Sequence, residues 1–159
     1  MIPIERLIRL PFFENLPAPG LARLADTAQE VHLQSNDFIV RQHDQARDIY
    51  LLESGAVQFL IHFEGADDLL VGRTNLPGTL LGWSTFRNPF RYTASVRCEG
   101  PCSLIKWPRQ VLDDLFEADL QFAYLFLERV AVTLASRIEQ TRELLFDPRV
   151  RRRPKGRRR

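Results

Sequence analysis

The chain has 159 residues, 45% of them hydrophobic, enough for one domain with a real core and too short for two ordinary ones. Two cysteines cannot staple a secreted fold or supply a four-cysteine zinc or iron–sulfur site. The formal charge of +2 averages two unlike parts: residues 149–159 hold eight Lys or Arg and no acid, leaving 14 basic against 20 acidic residues in 1–148, a balance of −6.

The N-terminal MIPIERLIRLPFF carries the charged pair Glu5 and Arg6 and then Pro11, and does not read as a signal peptide. Pro17-Ala18-Pro19-Gly20 punctuates the chain before Leu21, Leu24, Ala25 and Ala28, which share one helical face, so residues 1–29 are expected to be helical. From about 30 to 107 the pattern turns to short β-type runs. Phe38-Ile39-Val40, Ile49–Leu52, Val57–Ile61, Leu69–Val71, Thr93–Val96 and Ser103–Ile105 are the clearest. Ser54-Gly55 and Glu64–Asp68 lie between them as hairpin turns. About eight strands with close turn signals predict a mainly β fold, an eight-stranded β-roll or jelly roll with flanking helices.

Pro108 suits the first turn of a short helix bearing Val111, Leu112 and Leu115, and a long helix is expected from about Leu120 to Phe146, with 108–147 as one helical unit. Leu127, Ala131, Leu134, Ile138, Thr141 and Leu145 step by four and three along it, the seam of a two-helix contact and hence of a homodimer. Phe122, Phe126 and Val130 form a second apolar face suited to packing on the chain's own β-domain. Asp147-Pro148 should stop the helix, and 148–159 is expected to be a disordered basic tail. The most apolar stretch, Leu120 to Ala135, is interrupted by Glu128 and Arg129 and falls short of a membrane span, so a cytoplasmic location is expected.

Several segments in this order resemble the cyclic-nucleotide-binding domain of the Crp/Fnr regulators and of the kinase regulatory subunits. Asp48-Ile49-Tyr50-Leu51-Leu52-Glu53-Ser54-Gly55-Ala56-Val57 is similar to the family's strand–glycine–strand hairpin. Pro77-Gly78-Thr79-Leu80-Leu81-Gly82 looks like the entry to its phosphate-binding cassette, here within 78–96, and Thr93-Ala94-Ser95-Val96-Arg97 like the exit. Arg137-Ile138-Glu139-Gln140-Thr141 resembles the dimer helix of the bacterial regulators. The resemblance implies a β-roll that senses a cyclic nucleotide, using a Glu for the ribose 2′-hydroxyl and an Arg for the cyclic phosphate. Here the Glu position is Trp83 and the Arg position is Tyr92, so both charged groups are missing. An Arg–phosphate pair is a charge-assisted, often bidentate contact, and a carboxylate–hydroxyl bond adds about 1.5–3 kcal/mol. Standard cyclic-nucleotide binding is therefore not expected, and no cofactor is assigned.

Trp83, Phe86, Phe90 and Tyr92, with Pro89, crowd the cassette with aromatic surface. They either plug the pocket as core or line a site for another planar or amphipathic ligand, with Gly82, Trp83, Ser84, Arg91, Tyr92 and Thr93 as the candidate binding residues. Arg91 is the alternative phosphate partner. His32, His43 and His62 lack metal-ligand spacing, and Cys98 and Cys102 read as ordinary thiols, so no metal site is assigned. No catalytic triad, P-loop or dinucleotide fingerprint occurs, and the chain is not expected to be an enzyme. Arg151, Arg152, Arg153, Lys155, Arg157, Arg158 and Arg159 form either a salt-sensitive lure for nucleic acid and other polyanions or an arm masked by the acidic body. With about a dozen residues left after the long helix, no helix-turn-helix is expected there. The function expected is a ligand-sensing or interaction module with a non-standard pocket.

Overall fold

The computed structural model describes residues 1–146. The basic segment from Arg149 to Arg159, the expected stop at Asp147-Pro148 and the side chain of Leu145 lie outside the described residues. Helix α1 (Ile4–Ile8), a 3₁₀ turn (Pro11–Phe13) and α2 (Ala18–Thr27) precede the strands. Pro17 is extended at the N-cap of α2, and Pro19 falls in its first turn, where a missing N–H breaks no helical bond. Leu21, Leu24 and Ala25 are buried on the face that the spacing predicts.

Eight strands follow: β1 (Gln29–Leu33), β2 (Phe38–Val40), β3 (Asp48–Ser54), β4 (Val57–Ile61), β5 (Leu69–Thr74), β6 (Leu80–Leu81), β7 (Ser95–Cys98) and β8 (Cys102–Pro108). They form two antiparallel four-stranded sheets, ordered β1-β8-β3-β6 and β2-β7-β4-β5, the β-roll anticipated from the turn spacing. Gly55 makes the β3–β4 turn possible: its φ is +104°, and a Cβ there would stand 2.6 Å from the Pro101 carbonyl. Pro108, expected to open a helix, instead ends β8 in an extended conformation and leaves Arg109 to start the next helix. Thr93 and Ala94 precede β7 rather than belonging to it.

In the first sheet β3 and β8 bury side chains on both faces, which explains their apolar runs, whereas the edge strand β1 is largely exposed. Alternation divides each strand between two cores. Ile49 and Leu51 of β3, Leu80 of β6, and Ile105 and Trp107 of β8 face the helices. Leu52, Leu81, Leu104 and Cys102 face the interior of the roll with Ile39, Val57, Val96 and Tyr92. The Trp107 indole N–H donates to the Leu24 carbonyl at 2.8 Å, tying the N-terminal helices to the sheet.

Helix α3 (Arg109–Ala118) leads at Asp119 into α4 (Leu120–Phe146). Asp119 breaks the helix with φ −143°, and its Oδ1 accepts the Phe122 N–H at 2.9 Å, capping α4. Phe122, Phe126 and Val130 are buried against the chain's own core, as their spacing predicts. Gly20 permits this docking, since a Cβ there would fall 2.1 Å from the Phe122 ring. Leu120, Tyr124, Leu127 and Ile138 on the other side of α4 remain 43–77% exposed.

Candidate functional site

The cassette begins where β6 ends. Gly82 takes a left-handed conformation (φ +81°), and a Cβ there would approach the Asp48 carbonyl to 2.9 Å, so the turn is open to glycine in particular. It launches a 3₁₀ turn, Trp83–Phe86, which Thr85 secures by donating its hydroxyl to the Gly82 carbonyl at 3.1 Å.

The four cassette aromatics do not converge. Phe86 leaves the pocket and stacks on Phe116 of α3 with centroids 6.1 Å apart, also meeting Phe126 at 6.2 Å. Phe90 lies outside the roll, with the Arg109 guanidinium 3.8 Å above its ring. Tyr92 turns inward and is buried; its hydroxyl donates to the Asp48 carbonyl at 2.8 Å and accepts the Asp48 N–H at 3.3 Å. Burial raises the Tyr92 phenol pKa, so the donating proton is retained. Only Trp83, half-buried, stands beside Tyr92 at the pocket.

Between them remains a cavity of about 20 Å³, bordered by Gly82, Trp83, Ser84, Tyr92 and Thr93. That holds one water and is far below the roughly 300 Å³ at which small-ligand pockets begin. Five of the six candidate residues are thus together around one small space, Ser84 buried and Thr93 exposed. Arg91 is not among them. It is exposed on the outside of the roll, donates to the His43 carbonyl at 2.7 Å, and lines none of the cavities described here.

The charged group that does reach the cassette comes from α4. Arg137 borders the 20 Å³ cavity and three neighbouring ones, of about 140, 310 and 450 Å³. Its guanidinium donates to the Leu80 carbonyl and lies 4.3 Å from the Phe59 ring centroid, a cation–π contact. Among the described residues it has no carboxylate partner, and burial lowers its pKa to about 10, which still leaves it charged at neutral pH. The sequence pattern carried a signal for this residue: Arg137 continues the spacing Phe126, Val130, Thr133, placing a cation on the inward side of α4.

His32, His43 and His62 are scattered, and among the described residues no group of three or more His, Cys, Asp or Glu could hold a metal. Cys98 and Cys102 are both buried and free; burial pushes the Cys98 thiol up to about 12, away from reactive thiolate. Among the described residues no helix is long and apolar enough to cross a membrane.

Comparison with known proteins bears on this geometry. The cyclic nucleotide-binding domain family profile matches residues 30–119. A cGMP-dependent protein kinase of Drosophila melanogaster, isozyme 2 forms cD5/T2, is 26% identical over 90 residues, which are 57% of this chain and 10% of the kinase. The match therefore spans about a tenth of that curated relative's length. Among solved structures, a Geobacter metallireducens protein named for cyclic nucleotide binding has 24% identity and a TM-score of 0.75, covering 87% of this chain and 99% of its own. The catabolite activator protein of Thermus thermophilus has 21% identity and a TM-score of 0.67, covering 85% of this chain and 61% of its own. At those identities the likeness is one of fold.

Proposed function

Because this chain belongs to the cyclic nucleotide-binding domain family, we propose that it is a non-catalytic ligand-sensing or interaction module that does not use the family's standard cyclic-phosphate pocket. The observation that carries this is the cassette cavity of about 20 Å³, closed by Trp83 and by a Tyr92 already hydrogen-bonded to Asp48 on both sides of its hydroxyl. A cyclic nucleotide entering there must displace both aromatic side chains and strand the Asp48 backbone groups. It would gain no Arg from the cassette in return, and the one cation bordering that cavity, Arg137 of α4, is already placed on the Leu80 carbonyl and the Phe59 ring. The exposed apolar stripe of α4 supports action as a homodimer, with α4 as the element through which the roll reports its state.

The test is calorimetric titration of the full chain with cAMP and then cGMP at fixed moderate salt. No saturable heat is expected up to millimolar nucleotide. Saturation in the micromolar range overturns the closed-cassette proposal. Tyr92→Arg, which restores the family's phosphate-pairing residue and removes the plug, is expected to shift cAMP binding toward detection.

A further inference from the structure

The cavity of about 310 Å³ adjoins the small cassette cavity, sharing Phe59 and Arg137 with it, and occupies a cleft between α4, the Leu76–Thr79 loop joining β5 to β6, and the 3₁₀ turn at Pro11-Phe12. Its size falls at the start of the small-ligand range. Its lining combines two cations, Arg129 and Arg137, with an apolar wall that includes Phe12 and Phe59, and it contains no Asp or Glu. The two arginines are eight residues apart on α4, about 12 Å along the helix axis and about 80° around it, and both line the cleft.

Among the described residues neither cation has a carboxylate partner. Arg129 donates one N–H to the Glu14 carbonyl at 2.8 Å, and Arg137 donates to the Leu80 carbonyl. Each guanidinium carries five N–H donors, so most of its capacity is left for another acceptor. Ser136 and Gln140 line the cleft between and beyond them, and among the described residues neither side chain has a hydrogen-bond partner. Leu76 on the β5–β6 loop is 63% exposed, and Val132, between the two arginines on α4, is 55% exposed. Positive charge with unspent donors beside exposed hydrocarbon makes the cleft amphipathic.

We propose that this cleft binds a small organic anion, one phosphate or carboxylate head on a compact apolar body, with Arg129 and Arg137 holding the head and Phe12, Phe59 and Leu76 contacting the body. The site deepens the proposal that sensing occurs outside the cassette and rests on it for its functional meaning. A bound anion bridges α4 to the β5–β6 loop and so fixes the long helix against the roll.

Phenyl phosphate is the probe, with benzyl alcohol as its neutral counterpart, followed by amide NMR of the full-length protein. Phenyl phosphate is expected to give saturable shifts at 76–79 and 129–140 with a dissociation constant on the order of a millimolar for so small a ligand. Benzyl alcohol is expected to give none at the same concentration. Arg129→Gln and Arg137→Gln should each weaken binding by about fivefold or more, and Arg137→Lys by less. Equal shifts from both probes, or undiminished binding by Arg129→Gln, overturn the site; the half-buried Arg129 serves if Arg137→Gln does not fold. Titration under saturating cAMP separates the two proposals. Phenyl phosphate shifts that persist alongside genuine cAMP binding keep the anion site and overturn the closed cassette, whereas shifts that cAMP abolishes overturn a separate site. Absence of any phenyl phosphate binding overturns the anion site and leaves the closed cassette standing.

Discussion

Two side chains define the candidate site, and each is held by backbone groups rather than by a charged partner. Tyr92 exchanges hydrogen bonds with Asp48 through both N–H and carbonyl, and Arg137 is positioned by one hydrogen bond to the Leu80 carbonyl and by the Phe59 ring. Tyr92→Phe keeps the ring volume and removes both hydroxyl bonds, leaving two backbone groups of Asp48 to find other partners. It is expected to destabilise the fold by about 1 kcal/mol, read as a lower urea midpoint with an unchanged slope. A loss near zero would mean that water replaces the hydroxyl and that the plug is loose. The substitution pattern at 83 and 92 is legible in the sequence, because both departures from the family's cassette remove a charge. The direction of each aromatic was not: Phe86 and Phe90 lie within four residues on the same segment, yet one joins the helical core and the other sits beneath Arg109. A helical turn followed by an irregular stretch has no fixed side-chain period, so spacing alone could not sort them.

Helix α4 shows the same division at the next scale. Its two faces could be separated from sequence, since a 3.6-residue period centres Phe122, Phe126 and Val130 about 100° around the helix from the heptad positions. The structure buries the first set and leaves Leu120, Tyr124, Leu127 and Ile138 exposed, with Leu134 half-buried at the border. Contiguous exposed hydrocarbon along five turns is the surface a second copy would cover. The double substitution Leu127→Lys and Ile138→Lys is therefore expected to convert a dimer into a monomer by light scattering after size-exclusion chromatography, with the circular dichroism of the β-roll retained. A monomeric parent protein would sink the homodimer, and the exposed stripe would then need another partner. Arg137, on the inward side of the same helix, links this surface to the cassette, so helix position and pocket state share one residue.

Over the whole molecule, charge is partitioned as unevenly as hydrophobicity. Residues 1–148 balance at −6, while the eleven residues after them carry eight cations. Polyanion association through such a segment depends on counterion release and weakens steeply with salt. The full chain is expected to elute from a heparin column at clearly higher salt than a 1–148 chain, and identical elution would assign the basic segment to self-masking instead. Within the body, the fixed cations of the α4 cleft are the contrasting feature: two arginines confronting apolar walls and no carboxylate among the cleft's lining.

Local chemistry in the sequence by itself determined the strand-and-turn order, the punctuation by Pro17 and Gly55 and the two-faced long helix, because each depends on near neighbours along the chain, while the family resemblance marked the two missing cassette charges. What only the tertiary structure decided is which groups meet across it. The β-roll brings residue 48 against residue 92 and residue 80 against residue 137, pairings set by strand register and helix docking rather than by any local period. Cavity volume belongs to the same class, since it is the space left after distant side chains have packed: about 20 Å³ where the family's cassette lies, and about 310 Å³ beside α4.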